Sequence, residues 1–196
     1  MAPTEFRVLI VDDDEDMRAT LSDFIGGMGL KVATAADVTE AESLLVTEIP
    51  PFDMVLADLK LPGGTGLDIL KAAHARSPET LVTIVTGYAS LETAIEAIHL
   101  GAYDYITKPF SLEEIGVQIR NMVERVSLAK ENARLSLRLQ ELFEQLNQLQ
   151  SQKLEWSRFQ DEVRKELKDT NLKIGRLLST ISQFLPAAAS AERDCK

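Results

Sequence analysis

Along roughly the first 110 residues, short apolar runs alternate with stretches in which apolar residues recur every three or four positions. The runs are Phe6–Val11, Lys31–Ala35, Met54–Ala57, Leu81–Thr86 and Tyr103–Thr107. Their length and β-branched content predict strands, and the nearly unbroken apolar character of Phe6–Val11 suits a strand buried on both faces. Helical spacing appears between them: Met17, Leu21, Phe24, Ile25 and Met28; then Ala41, Leu44 and Leu45 within residues 37–48. It returns at Leu67, Ile69, Leu70 and Ala73, and again from Leu91 to Leu100. Gly26, Gly27 and Gly29 end the first helix, and Pro50 with Pro51 ends the second. Strands alternating with helices at such short spacing imply parallel β-α-β units with right-handed crossovers. The expected fold class is α/β, a doubly wound five-stranded parallel sheet.

From Ser111 onward no strand pattern returns. Ser111 and Glu114 have the spacing of a capping box, and no strong breaker follows before Pro186. Leu128, Leu135, Leu142, Leu149, Trp156, Val163, Thr170, Leu177 and Phe184 recur every seven residues. Taken as d positions, they place Arg125, Asn132, Leu139, Leu146, Lys153, Gln160, Leu167, Ile174 and Ile181 at a. Heptads sustained this far predict a long α-helical coiled coil. Polar a residues weaken the seam, and an Asn at a fixes register in parallel dimers, which is the reading for Asn132. The alternative is a long helix folded back on itself as a hairpin. Gly175 is a weak point worth only about 1 kcal/mol. The sequence thus divides into a sheet domain over residues 5–124, a coiled-coil helix over 125–185 and a disordered tail over 186–196.

Charge sharpens that division. Residues 1–124 carry 8 Lys and Arg against 21 Asp and Glu, whereas residues 125–196 carry 13 against 10. The acidic first part would repel nucleic-acid phosphates, and the weakly positive second part is spread along a patterned helix as a solvated face. The one cysteine, Cys195, excludes a disulfide framework and a cysteine metal cluster. No apolar stretch approaches the roughly 18–20 residues of a membrane span, so the expected location is cytoplasmic, with no membrane partner.

Candidate chemistry gathers where strands end. Open α/β sheets place ligands beyond the carboxyl ends of their strands, and four predicted strands end at Asp12-Asp13, Asp58, Thr86 and Lys108. Asp58 is followed by Pro62, Gly63, Gly64 and Gly66, which demand a turn. Acids at 14–16 suit the positive end of a helix dipole, but Asp12 and Asp13 lie at the strand tip beside the predicted position of Asp58. Three carboxylates held together repel one another unless a hard cation neutralises them, and Mg²⁺ suits all-oxygen ligation. Asp58 is then a candidate nucleophile toward phosphorus. Lys108 supplies a point charge for phosphoryl oxygens, and the Thr86 hydroxyl supplies a hydrogen bond. His74 and His99 fall on helices away from the strand tips and read as surface or helix-end histidines.

The motifs Val-Asp-Asp at 11–13, Asp-Leu-Lys-Leu-Pro-Gly-Gly-Thr-Gly at 58–66, Thr-Gly at 86–87 and Gly-Ala-Tyr-Asp-Tyr-Ile-Thr-Lys-Pro-Phe at 101–110 complete the picture. Over residues 6–124 the chain resembles the CheY-like, flavodoxin-like receiver domain of bacterial two-component response regulators. The resemblance implies Asp58 as phosphoacceptor, Asp13 and Asp58 as direct Mg²⁺ ligands with the Lys60 carbonyl, and Asp12 as a ligand acting through water. It implies Thr86 as switch hydroxyl, Tyr105 as the aromatic whose rotamer follows it, and Lys108 as the phosphoryl-binding lysine in a cis bond to Pro109. The receiver sequence most resembles those preceding ATPase-type transcription activators, yet no helix-turn-helix, phosphate-binding loop or catalytic cluster follows Glu124. The implied function is a response regulator phosphorylated on Asp58 by a sensor histidine kinase, signalling to a downstream protein through a parallel homodimeric coiled coil. Such a receiver is not an enzyme beyond its own phosphoryl transfer. The alternative is a DNA-binding transcriptional regulator acting through the helical tail.

Overall fold

A computed structural model describes residues 6–191, with side chains described through residue 183. Two compact units meet at Ala133 and Arg134. The first contains strands β1 (Arg7–Val11), β2 (Lys31–Ala35), β3 (Met54–Asp58), β6 (Leu81–Thr86) and β7 (Asp104–Thr107), all parallel and ordered β2-β1-β3-β6-β7. A short antiparallel hairpin, β4 (Lys60–Leu61) with β5 (Gly64–Thr65), stands apart from the sheet. The sequence reads that stretch only as a turn, because two residues a side are too few to show a strand period. Helices α1 (Glu15–Gly27), α2 (Val38–Thr47), α3 (Gly66–Arg76) and α4 (Leu91–His99) connect the strands. Helix α5 begins at Leu112 and extends to Ala191.

Alternation along the strands sends successive side chains to opposite faces, and each face has its own core. Leu9, Val11, Val55, Ala57, Val82 and Ile84 join residues of α2 and α3 on one side. Val8, Ile10, Met54, Leu56 and Val85 meet Leu21 and Ile25 of α1, and Ile115, Ile119, Met122 and Val126 of α5, on the other. The spacing of those four α5 residues keeps them on one face of the helix. Central strand β3 is buried along its whole length and carries its one charged residue, Asp58, at its carboxyl end.

The first unit reaches Ala133, past the residue at which the heptads begin. Val126 is buried in the core, and the Lys130 ammonium lies 2.6 Å from Asp53 Oδ1 at the amino edge of β3. In the second unit, residues 134–191 are helical without a reversal, so the hairpin alternative is not what the structure holds. The heptad residues Leu135, Leu139, Leu142, Leu146 and Leu149 are exposed along it. Helical backbone continues through Pro186, where the sequence places the start of a tail, into an Ala-rich stretch of high helix propensity. The remainder of that tail, residues 192–196, and the side chain of Phe184 lie outside the described residues.

Candidate functional site

Register places the site. Val11 of β1 pairs with Ala57 of β3, so the next residues, Asp12 and Asp58, sit side by side as the strands run out. Asp58 pairs with Val85 of β6, which sets Thr86 one residue further along the same edge. Thr86 pairs in turn with Thr107 of β7, and the Lys108 amide donates to the Thr86 carbonyl at 2.8 Å. Asp12, Asp58 and Thr86 are all buried, while Asp13 is exposed beside them.

Carboxylate oxygens of Asp12, Asp13 and Asp58 lie within 4.8 Å of one another. The Lys108 ammonium reaches across to two of them, donating to Asp12 Oδ2 and to Asp58 Oδ2 at 2.6 Å each. Burial works against that ammonium, but its hydrogen bonds and charge attraction to Asp12 and Asp58 outweigh it and raise its pKa above the usual lysine value. The other oxygens are also placed: Asp12 Oδ1 accepts from the Asp14 amide at 3.0 Å and Asp58 Oδ1 from the Lys60 amide at 3.1 Å. Arg18 donates to the Asp12 carbonyl at 2.6 Å, which ties the tip of β1 to the first turn of α1. Asp14 caps α1 by accepting from the Met17 amide.

The turn after Asp58 is shaped around it. Gly63 has φ +84°, a left-handed conformation that glycine adopts without strain. A Cβ on Gly66 would collide with the Asp58 carbonyl oxygen and lie 3.3 Å from the Leu59 Cα. Glycine there lets the start of α3 press against the end of β3, with the Gly66 amide donating to the Leu59 carbonyl at 3.0 Å. Thr65 and Asp68 close α3 in a capping box.

Every residue that the sequence nominates is accounted for. Asp12, Asp13, Asp58 and Lys108 come together, and Thr86 and Lys60 adjoin them on the same edge. The Thr86 hydroxyl accepts from the Tyr88 amide at 3.0 Å. Tyr105 stands one ring further out, half-buried, its hydroxyl 2.9 Å from Thr93 Oγ1 of α4. The Lys108–Pro109 peptide is cis, as expected, and so is Ile49–Pro50, which the sequence does not signal. His74 ends α3 beside Gly101 and His99 is exposed at the end of α4, neither within the carboxylate group. Sequence reasoning misses the contacts between side chains of separate elements, and one of them borders the site. The Lys60 ammonium lies 3.3 Å from the centre of the Tyr88 ring, a cation–π contact that spans the two loops flanking the site.

An all-oxygen donor set with one member open to solvent fits a small hard cation. The residues that would hold Mg²⁺ are Asp12, Asp13 and Asp58. The remaining groups, one ammonium and one hydroxyl, are donors suited to an anion placed over Asp58.

The chain matches the model of the response regulator receiver domain over residues 8–120. It is 45% identical over 106 residues to the response regulator protein PilR of Pseudomonas aeruginosa, covering 54% of this chain and 23% of that one. It is 36% identical over 125 residues to the regulatory protein AtoC of Escherichia coli, covering 64% and 27% respectively. This chain therefore spans about a quarter of the length of these curated relatives. Among solved structures it resembles a CheY-like receiver domain protein from Methanospirillum hungatei (32% identity, TM-score 0.59, covering 62% of this chain and 97% of that one). It also resembles the beryllofluoride-activated NtrC4 receiver domain dimer (33% identity, TM-score 0.57, covering 61% and 98%).

Proposed function

The chain belongs to the response regulator receiver domain family, and on that premise we propose that Asp58 accepts a phosphoryl group from a sensor histidine kinase. The observation that carries this reading is the ammonium of Lys108 set 2.6 Å from the Asp58 carboxylate, within a cluster of three acids at the strand tips. An Asp58 carboxylate oxygen attacks phosphorus, a P–O bond forms, the P–N bond to the donor imidazole breaks, and that nitrogen keeps the electron pair and is protonated. Lys108 holds Asp58 in place before the transfer and offers its ammonium to a phosphoryl oxygen after it. Thr86 can exchange the Tyr88 amide for a phosphoryl oxygen by turning about one bond, and Tyr105 can then follow into the space it leaves. Bound Mg²⁺ would supply the positive charge that lets an anionic donor approach three carboxylates. The receiver does no chemistry beyond this transfer.

The output we assign is the heptad helix, acting as a parallel homodimeric coiled coil over residues 125–185 and addressing a downstream protein. The support is the run of exposed apolar residues at seven-residue spacing, which a lone helix leaves in water. Among the described residues no helix is long and apolar enough to cross a membrane; the cytoplasm, where ATP-derived phosphoryl groups are generated, is the compartment that suits this chemistry. Transcriptional regulators among the relatives raise DNA control as a second reading, but the acidic balance of residues 1–124 favours a protein target.

The test is incubation of the full chain with acetyl phosphate and Mg²⁺, followed by mapping of the acid-labile phosphoryl group. Labelling is expected on Asp58 and lost in Asp58→Asn with the fold intact by circular dichroism. Undiminished labelling of Asp58→Asn would overturn the assignment.

A further inference from the structure

Where α5 leaves the sheet it borders a groove of about 300 Å³. One wall is the loop entering β6, through Pro78, Glu79 and Leu81; the other is α5, through Arg125, Leu128 and Asn132. Those three helix residues are the first a and d positions of the heptad pattern. At 3.6 residues per turn, their stripe is centred about 115° around the helix from Ile115, Ile119, Met122 and Val126, which are buried against the sheet. Lys130, bonded to Asp53, lies on the docked side with them. The seam residues are therefore presented outward while the helix stays fixed to its own sheet, and Leu128 is 57% exposed beside the groove.

We infer that this groove receives the helix of a second copy of the chain, so that the interface between copies includes the Pro78–Leu81 loop as well as the heptad seam. The inference rests on the coiled-coil reading and extends it to the sheet unit. Charge gives the reason. Glu79 and Arg125 are the acid and the base of the groove, and among the described residues neither is held in an ion pair. In a parallel dimer the two Arg125 side chains face each other as like charges at an a position. In a two-fold interface every other contact occurs twice, so Arg125 of each copy meets Glu79 of the other and the Arg125–Arg125 repulsion is relieved. Pro78 and Leu81 supply apolar surface against the exposed Leu128. Glu124, one residue before Arg125, does not line the groove and serves as the control acid.

The experiment compares the full chain with a monomeric reference carrying Leu142→Lys and Leu149→Lys, substitutions in exposed seam positions of the second unit. Sedimentation establishes each species and hydrogen exchange reads the amides from Glu79 to Val82. Exchange there is expected to slow about tenfold in the dimer relative to the reference, because local opening of the loop is restrained. Glu79→Arg is expected to weaken dimerisation about tenfold or more, and the exchange Glu79→Arg with Arg125→Glu to restore it, as charge complementarity requires. Glu124→Gln leaves dimerisation unchanged. A dimer whose 79–82 exchange equals that of the reference, or whose affinity ignores Glu79→Arg, overturns this interface while leaving the coiled coil standing. A full chain that is monomeric at every concentration overturns both.

Discussion

Lys108 is where the single-residue chemistry is easiest to separate, because one ammonium serves two carboxylates on different strands. Removing it makes the site more negative. Lys108→Ala is therefore expected to bind Mg²⁺ more tightly, by about tenfold or more, and to take phosphoryl from acetyl phosphate more slowly. Calorimetric titration with Mg²⁺ and labelling rates check the two opposite signs; a fall in both would show that Lys108 only props the site. Gly66 is the other critical residue, since any Cβ there meets the backbone of Asp58. Gly66→Ala is expected to cost about 1–3 kcal/mol in urea unfolding, as overpacking commonly does. The positions of Asp58, the Asp12–Asp13 pair, Thr86 and Lys108 at one sheet edge were all legible in the sequence, because each simply ends a recognisable apolar run. The Arg18 bond to the Asp12 carbonyl, the Tyr105–Thr93 pair and the Lys60–Tyr88 contact were not. They join side chains from separate elements, and no period along the chain encodes a rotamer or a distance between loops.

Elements carry a different kind of legibility. The start of α5 was written in its cap, the Ser111–Glu114 pair, and α3 shows what such a cap contributes. Thr65 Oγ1 accepts from the Asp68 amide at 3.3 Å, while the Asp68 carboxylate accepts from the Thr65 amide and hydroxyl at 3.0 and 2.7 Å. The Thr65 hydroxyl bond holds the Asp68 carboxyl below its ordinary value of 3.8, against a weaker effect of burial. A carboxyl depressed in the folded state contributes stability above its unfolded pKa and loses it as pH falls through the folded one. Thr65→Ala is thus expected to cost about 0.5–2 kcal/mol at neutral pH. The gap from the parent narrows below pH 3.8, which thermal melts across pH will show; a constant gap would assign the whole effect to the hydroxyl's bond with the backbone. The β4–β5 hairpin and the helical backbone past Pro186 escaped the sequence. A two-residue strand has no period to read, and the Ala-rich run after Pro186 favours helix against the proline signal.

At the scale of the whole molecule, what matters is that the acidic strand-tip cluster lies in the first compact unit, whereas the heptad pattern starts there at Arg125 and runs on through the second. Asn132 sets the balance of the seam. Asn132→Leu is expected to raise the melting temperature of the full chain while broadening sedimentation toward larger oligomers, since a polar a residue favours one register at a cost in stability. A sharper dimer with no gain in melting temperature would remove Asn132 from the seam. The aromatic residues make such events separable by colour. Trp156 is the only tryptophan of the chain, exposed at a d position 5.7 Å from the Phe159 ring, and all three tyrosines, Tyr88, Tyr103 and Tyr105, belong to the sheet unit. Nature has in effect fitted each unit with its own optical reporter. Excitation at the red edge of the protein band reports the helix alone, and the tyrosine band, once the overlapping tryptophan absorbance is subtracted, reports the sheet. After mixing with a phosphodonor, the delay between the tyrosine signal and the tryptophan signal becomes a direct clock for the passage from one unit to the other.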